Sequence, residues 1–114
     1  MKKILVQFLT LLFISDCALG ASYKDTDNVN IHLISVWTSN GEVLVQTNPK
    51  HDVSGLSCTN NFWLVLKKDS AGYEATLSML LSAQATRTNV TVRASDDNSN
   101  DFCRLSRLVL KPSN

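Results

Sequence analysis

The sequence has no surplus of charge of either sign. It contains 11 Lys and Arg against 10 Asp and Glu, which gives a formal net charge of +1. Lys2, Lys3 and Asp16 lie in the first 20 residues, so nine basic and nine acidic side chains follow them. Proteins that bind nucleic acids concentrate positive charge on one face. The composition therefore argues against a nucleic-acid partner.

The sequence also lacks the residue patterns that are typical of catalysis. Its two histidines, His32 and His51, have no neighbouring nucleophile, and no G-x-S-x-G motif is present. The paired carboxylates lie in polar segments, where nothing in the sequence adapts them to acid–base chemistry. We therefore predict a protein that is not an enzyme and carries no cofactor.

One acidic segment has part of the sequence pattern of a calcium site. Asp96, Asn98 and Asn100 have the alternate spacing of the first ligands in a calcium-binding loop. However, Asp101 stands where that loop needs glycine for its sharp turn, and Arg107 replaces the final glutamate. A solvated hairpin loop without a metal ion is therefore the predicted structure.

No apolar run is long enough to cross a bilayer. The main one covers residues 4–14, roughly half of what a membrane-spanning helix needs. It follows two lysines and precedes Ala18-Leu19-Gly20, which resembles a signal-peptidase site. Residues 1–20 are thus predicted to be a signal peptide, and residues 21–114 a single secreted or periplasmic domain without membrane insertion.

Cysteines are few, and their number depends on this leader. Cys17 would leave with the signal peptide, so only Cys58 and Cys103 would remain. An even pair in a small exported protein indicates one structural disulfide. The bond would close a span of 45 residues.

Five segments have the composition of β-strands. Asn40-Gly41 separates the first two and is a strong hairpin signal, since both residue types tolerate positive φ. A polar stretch over residues 21–30 is expected to be a flexible lead-in. The predicted strands cover residues 31–38, 42–47, 62–66, 88–93 and 102–110.

One segment between the third and fourth strands has helical periodicity. Residues 71–85 are good helix formers, and Asp69 or Ser70 could cap the amino terminus of the helix. An apolar stripe indicates that one side of this helix packs against the sheet. Its members are Tyr73, Leu77, Leu80 and Leu81.

The resulting order is β-β-β-α-β-β, which predicts an all-β fold with one helix. It matches the OB-fold, a five-stranded barrel whose helix lies between the third and fourth strands. A small α+β sandwich of the same length is the alternative. Trp63 is expected in the core, whereas Trp37, beside the hairpin turn, is either a core residue or a partly exposed platform for a sugar ring.

Several features together resemble a known family. They are Cys58 followed by Trp63, a helix containing Leu80 and Leu81, the segment Asn89-Val90-Thr91-Val92, and Cys103. This arrangement resembles the receptor-binding B subunits of subtilase cytotoxin and its pertussis-like relatives, over roughly residues 30–110. The resemblance implies an OB-type barrel, a possible homo-pentamer and sugar binding on the outer surface. The nearest candidates for sugar contacts ahead of the first strand are Thr26 and Asn28.

Two functional hypotheses follow from the sequence. The first is a non-catalytic binding module that recognises glycans, as a toxin B subunit does. The second is a periplasmic protein-interaction factor, such as an inhibitor or an immunity-like protein, which docks onto a partner through a strand edge or a loop.

Overall fold

The computed structural model describes residues 22–112, which form a closed five-stranded barrel with one helix. The order around the barrel is β1-β2-β3-β5-β4, and β4 pairs with β1 to close it. This confirms the predicted OB-like barrel. The predicted signal peptide lies outside the described residues. The elements are β1 (Tyr23–Val36), β2 (Val43–Asn48), β3 (Asn60–Leu66), α1 (Tyr73–Thr86), β4 (Val90–Ser95) and β5 (Phe102–Leu110).

β1 is much longer than predicted, and its first half closes the barrel. Residues 23–29, predicted to be a flexible lead-in, pair with β4, while residues 30–36 pair with β2. Polar cross-strand partners stabilise this first half. Asp25 accepts two hydrogen bonds from Arg93 at 2.8 and 3.1 Å, and Asp27 accepts one from Thr91 at 2.7 Å. The prediction was wrong because these partners are distant in the sequence.

The predicted β1–β2 hairpin is confirmed, although its turn is longer than two residues. The backbone N–H of Trp37 donates to Glu42 at 2.9 Å, and that of Gly41 donates to Trp37 at 2.7 Å. Within the turn only Gly41 has positive φ, at 81°. Asn40 instead uses its side-chain oxygen, which accepts from the N–H of Glu42 at 3.0 Å.

The helix α1 packs against β1 and β5 and lies at nearly the predicted position in the sequence. Leu80 and Ala83 are buried in the core, whereas Leu81, predicted to share the apolar stripe, is exposed. The predicted cap was wrong, since Gly72 occupies the N-cap position without a side-chain hydrogen bond. Tyr73 makes the connection to the hairpin instead, because its hydroxyl donates to the carbonyl of Gly41.

β3 only partly fits the expectation of a strand buried on both faces. Leu64, Val65 and Leu66 are buried, but Trp63 is half-buried and Phe62 is exposed under the ammonium group of Lys50. The apolar run over residues 62–66 therefore begins with two residues, Phe62 and Trp63, that the barrel does not bury completely. β4, displaced by two residues from its predicted start, shows the expected alternation of buried and half-buried residues.

The predicted disulfide between Cys58 and Cys103 is present. Both residues are completely buried, with their Cα atoms 5.1 Å apart. The bond joins the loop between β2 and β3 to the start of β5 and belongs to the interior cluster of apolar side chains. It therefore attaches the longest loop of the barrel to β5.

The same loop contains a buried histidine. His51 is 1% exposed, and within residues 22–112 neither ring nitrogen has a hydrogen-bond partner. Burial lowers the pKa of His51 to about 4, with the charges of Asp52 and Lys50 as smaller influences of opposite sign. The imidazole is therefore neutral at neutral pH.

Removing the disulfide should destabilise the barrel strongly. A bond that closes 45 residues restricts the unfolded chain by about 4 kcal/mol in the loop-entropy model. We expect the Cys58→Ala, Cys103→Ala double variant to lose a free energy of unfolding of this order, measured by urea denaturation. A double variant within about 0.5 kcal/mol of the parent would contradict the assigned role of the bond.

His51 should make the barrel sensitive to mild acid. In the unfolded chain His51 binds a proton near pH 6.5, but in the folded chain it does so only near pH 4. The neutral imidazole therefore contributes its full share to the free energy of unfolding above pH 6.5, and this share is lost as the pH falls toward 4. The loss is up to about 3 kcal/mol. Urea denaturation of the parent and of His51→Leu, measured between pH 7 and pH 4.5, should show a steep loss only in the parent. Equal slopes would contradict this role of His51.

Candidate functional site

The outer surface of β1, β2 and β3 carries several apolar side chains. Residues paired across neighbouring strands lie on the same side of a sheet, so the pairs Leu33–Gln46, Ser35–Leu44 and Leu44–Val65 share this surface. Trp37, the residue after the end of β1, and Trp63 in β3 continue the same alternation. We define the outer face as Leu33, Ser35, Trp37, Leu44, Gln46, Trp63 and Val65.

The centre of the outer face is an apolar floor. Leu44 and Val65 are buried at 9% and 2% exposure, although neither belongs to the cluster that fills the barrel interior. On the β1 side, Leu33 and Trp37 remain 43% and 58% exposed. An apolar floor beside an exposed indole is a surface suited to binding.

Charged residues of both signs border this surface near Trp37. The ammonium nitrogen of Lys67 lies 3.5 Å from the carboxylate of Glu42 and 3.8 Å from that of Asp97. It thereby connects the β1–β2 turn, the end of β3 and the β4–β5 loop. Hydrogen bonds from the hydroxyl and the backbone N–H of Ser99 lower the pKa of Asp97, so its carboxylate remains ionised in neutral and mildly acidic solution.

This position matches where barrels of this type bind ligands. OB-fold proteins use the surface of strands 2 and 3, together with the loops after strands 1 and 4, to bind oligosaccharides and oligonucleotides. Trp37 opens the first of these loops, and Asp97 lies in the second. Of the three predicted sugar-contacting residues, Trp37 therefore lies on the outer face.

Thr26 and Asn28 lie elsewhere. Both belong to the first half of β1, which pairs with β4, whereas Trp37 follows the half that pairs with β2. The hydroxyl of Thr26 accepts from the N–H of Asp52 at 2.9 Å, so it holds the β2–β3 loop. Asn28 has a φ of 59° at the irregularity between Thr26 and Val29. The structure does not bring these two residues together with Trp37.

A second concave surface, here called the polar cleft, was not predicted from the sequence. It has a volume of about 360 Å³, and β1, the end of β2 and the carboxyl end of α1 contribute to it. These segments are far apart in the sequence, and no local pattern marks them. The cleft is lined by Asn30, Ile31, His32, Asn48, Gln84 and Arg87.

Hydrogen bonds and strand pairing hold the walls of the polar cleft. Asn30 and Asn48 are partners across β1 and β2, and the amide nitrogen of Gln84 donates to the carbonyl of His32 at 3.1 Å. Arg87 follows α1 in the left-handed conformation, with φ 57° and ψ 39°. Its backbone N–H donates to Ala83, so its position is determined by the end of the helix.

The acidic segment after β4 uses its carboxylates within the fold. Asp96 accepts from the N–H and the hydroxyl of Ser57, and these contacts lower its pKa. Asp97 accepts from Ser99 at 2.7 Å. Within residues 22–112, no group of three or more His, Cys, Asp or Glu side chains is arranged to hold a metal ion.

Comparison of the chain with protein-family models, with curated proteins and with solved structures gave no match. The resemblance to toxin B subunits therefore stays a prediction. Among the described residues, no helix combines the length and the apolar character needed to cross a membrane.

The conformation of Arg87 yields a stability prediction. A side chain with Cβ is strained in the left-handed region, while glycine is not. We expect Arg87→Gly to raise the free energy of unfolding by about 0.5–1 kcal/mol, measured by urea denaturation, because the strain it relieves is larger than the entropy that glycine adds to the unfolded chain. Arg87→Ala keeps the strained Cβ and serves as the control, without a gain. A Gly variant less stable than the Ala variant would contradict this account.

Proposed function

We propose that the chain is a non-catalytic recognition module that binds carbohydrate on the outer face. The observation that carries this proposal is the exposed indole of Trp37 beside the apolar floor of Leu44 and Val65. Apolar side chains exposed together on one face mark a surface that binds a ligand or a partner, and Leu33 is exposed on the same face as Trp37.

The chemistry of a sugar ring suits this surface. A pyranose has an apolar face of C–H groups and a rim of hydroxyl groups, so one side can stack on an indole while the rim forms hydrogen bonds. Ser35 offers an exposed hydroxyl on the outer face, and Glu42 and Lys67 border it. Because the bordering charges have both signs, the surface favours neutral hydroxyl-rich ligands over polyanions such as nucleic acids.

The covalent bond between Cys58 and Cys103 supports an exported protein. Disulfides form and persist in oxidising compartments, including the periplasm and the extracellular space. Together with the leader expected over residues 1–20, this supports secretion or periplasmic residence. Mass spectrometry of the mature protein would test both features at once.

A second candidate function is protein interaction, as an inhibitor or immunity-like factor. Leu33 and Val36 are exposed on β1, and Trp37, the next residue of the chain, is exposed as well. Exposed apolar residues on one element also suit a protein partner. In this case the protein would bind no sugar, and light scattering would show a monomer rather than the ring of five suggested by the toxin resemblance.

Binding of the protein to a glycan array tests the proposal. We expect selective binding, and we expect Trp37→Ala to weaken the best sugar about tenfold, because stacking on an indole contributes about 1–1.5 kcal/mol. Trp37→Phe, which keeps an aromatic ring, should retain part of the affinity in calorimetry. All variants should melt near the parent temperature, since Trp37 lies outside the core.

Leu81→Ala is the matched control, because Leu81 is exposed on α1 and away from the outer face. It should bind sugar as the parent does. Two results would contradict the proposal: an array without any bound sugar, or equal affinities of Trp37→Ala and the parent. The first result would leave the protein-interaction hypothesis as the better account.

A further inference from the structure

The polar cleft contains a cation without a counter-ion. In the described range 22–112, the ion pairs involve Lys67, Arg93 and Arg104, and none involves Arg87. The lining of the cleft has three amide side chains and His32 but no carboxylate. The cleft therefore offers a solvent-exposed positive charge bordered by neutral polar groups.

One of the residues that line the polar cleft has a hydrogen-bond acceptor to which no donor of the described residues binds. The side-chain oxygen of Asn30 is buried, and no hydrogen-bond donor within residues 22–112 reaches it. A buried polar atom without a partner is unusual and requires an explanation. A hydroxyl or amino group held in the cleft beside Asn30 would supply the missing donor.

From these two observations we propose that the polar cleft binds a small organic acid with a hydroxyl or amino group next to its carboxylate. The planar guanidinium of Arg87 matches a carboxylate with two parallel hydrogen bonds. The adjacent hydroxyl or amino group donates to Asn30. The site is separate from the outer face and does not depend on carbohydrate binding there.

The size of the cleft agrees with this class of ligand. Its volume of about 360 Å³ lies at the small end of the range for small-molecule sites, roughly 300–1,000 Å³. A single small acid fits with its first water molecules, whereas an extended chain of sugars does not. Gln84, held by its bond to the carbonyl of His32, keeps this wall in place without the ligand.

Arg87 has an alternative role that an experiment must separate. A cation after the last turn of a helix interacts favourably with the helix dipole. Lysine fulfils that role equally well, but it cannot form the paired hydrogen bonds of a guanidinium. Arg87→Lys therefore keeps the electrostatic role and removes the geometric one.

Nuclear magnetic resonance titration tests the proposal. L-lactate and L-alanine serve as probes that carry both groups, acetate as a probe with the carboxylate alone, and sodium chloride as the ionic control. We expect lactate or alanine to shift the backbone amides of residues 30–32, 48 and 84–88, with acetate at least threefold weaker. Arg87→Lys and Arg87→Gly should each weaken binding at least fivefold.

Arg107→Gln is the matched control, because it removes an exposed cation on β5 and leaves the cleft unchanged. It should bind the probes as the parent does. The proposal is overturned if 20 mM lactate and alanine shift no amides beyond the chloride control, or if the shifts occur outside the cleft. It is also overturned if Arg87→Lys binds as tightly as the parent. None of these results bears on sugar binding by Trp37.

Discussion

The structure depends on one strand that pairs along its whole length with two different neighbours. β1 forms hydrogen bonds with β4 through its first half and with β2 through its second half. Without the first half, β4 would have an unpaired edge and the barrel would be an open sheet. The ion pair between Asp25 and Arg93, covered by the ring of Tyr23, is therefore part of the closure.

Both candidate binding surfaces are consequences of this closure. The bend in β1, with pairing irregularities on either side of Val29 and Ile31, turns the strand from one neighbour to the other. Asn30 and His32 lie at this bend and line the polar cleft. Trp37 lies where the strand ends, beside the outer face. One strand thus contributes to two surfaces of different chemistry, one apolar with an aromatic ring and one polar with a single cation.

The sequence predicted the features that depend on neighbouring residues. β5 has the predicted bounds, Phe102 to Leu110, because its apolar run ends just before Pro112. The disulfide between Cys58 and Cys103 followed from the number of cysteines that remain after the leader. Fold class followed from the order of the elements, since few barrels combine five strands with one helix in that position.

Features that depend on partners distant in the sequence were not predictable in this way. The polar residues of 23–30 belong to a strand only because Arg93 and Thr91 face them. Asn30, Asn48, Gln84 and Arg87 form a cleft only after the barrel has closed and α1 has docked on it. The outer face exists only after β1, β2 and β3 have paired, whereas exposure of Trp37 beside its turn was one of the two alternatives that the sequence left open.

The central claim is that the outer face of this closed barrel is a carbohydrate-binding surface. Its most direct test is a map of backbone amide shifts during titration with the sugar that the protein binds best. The account predicts that the perturbed amides cluster at residues 33–37, 44–46 and 63–65, around the indole of Trp37. Perturbations confined to other parts of the barrel, or no saturable perturbation with any sugar, would contradict it.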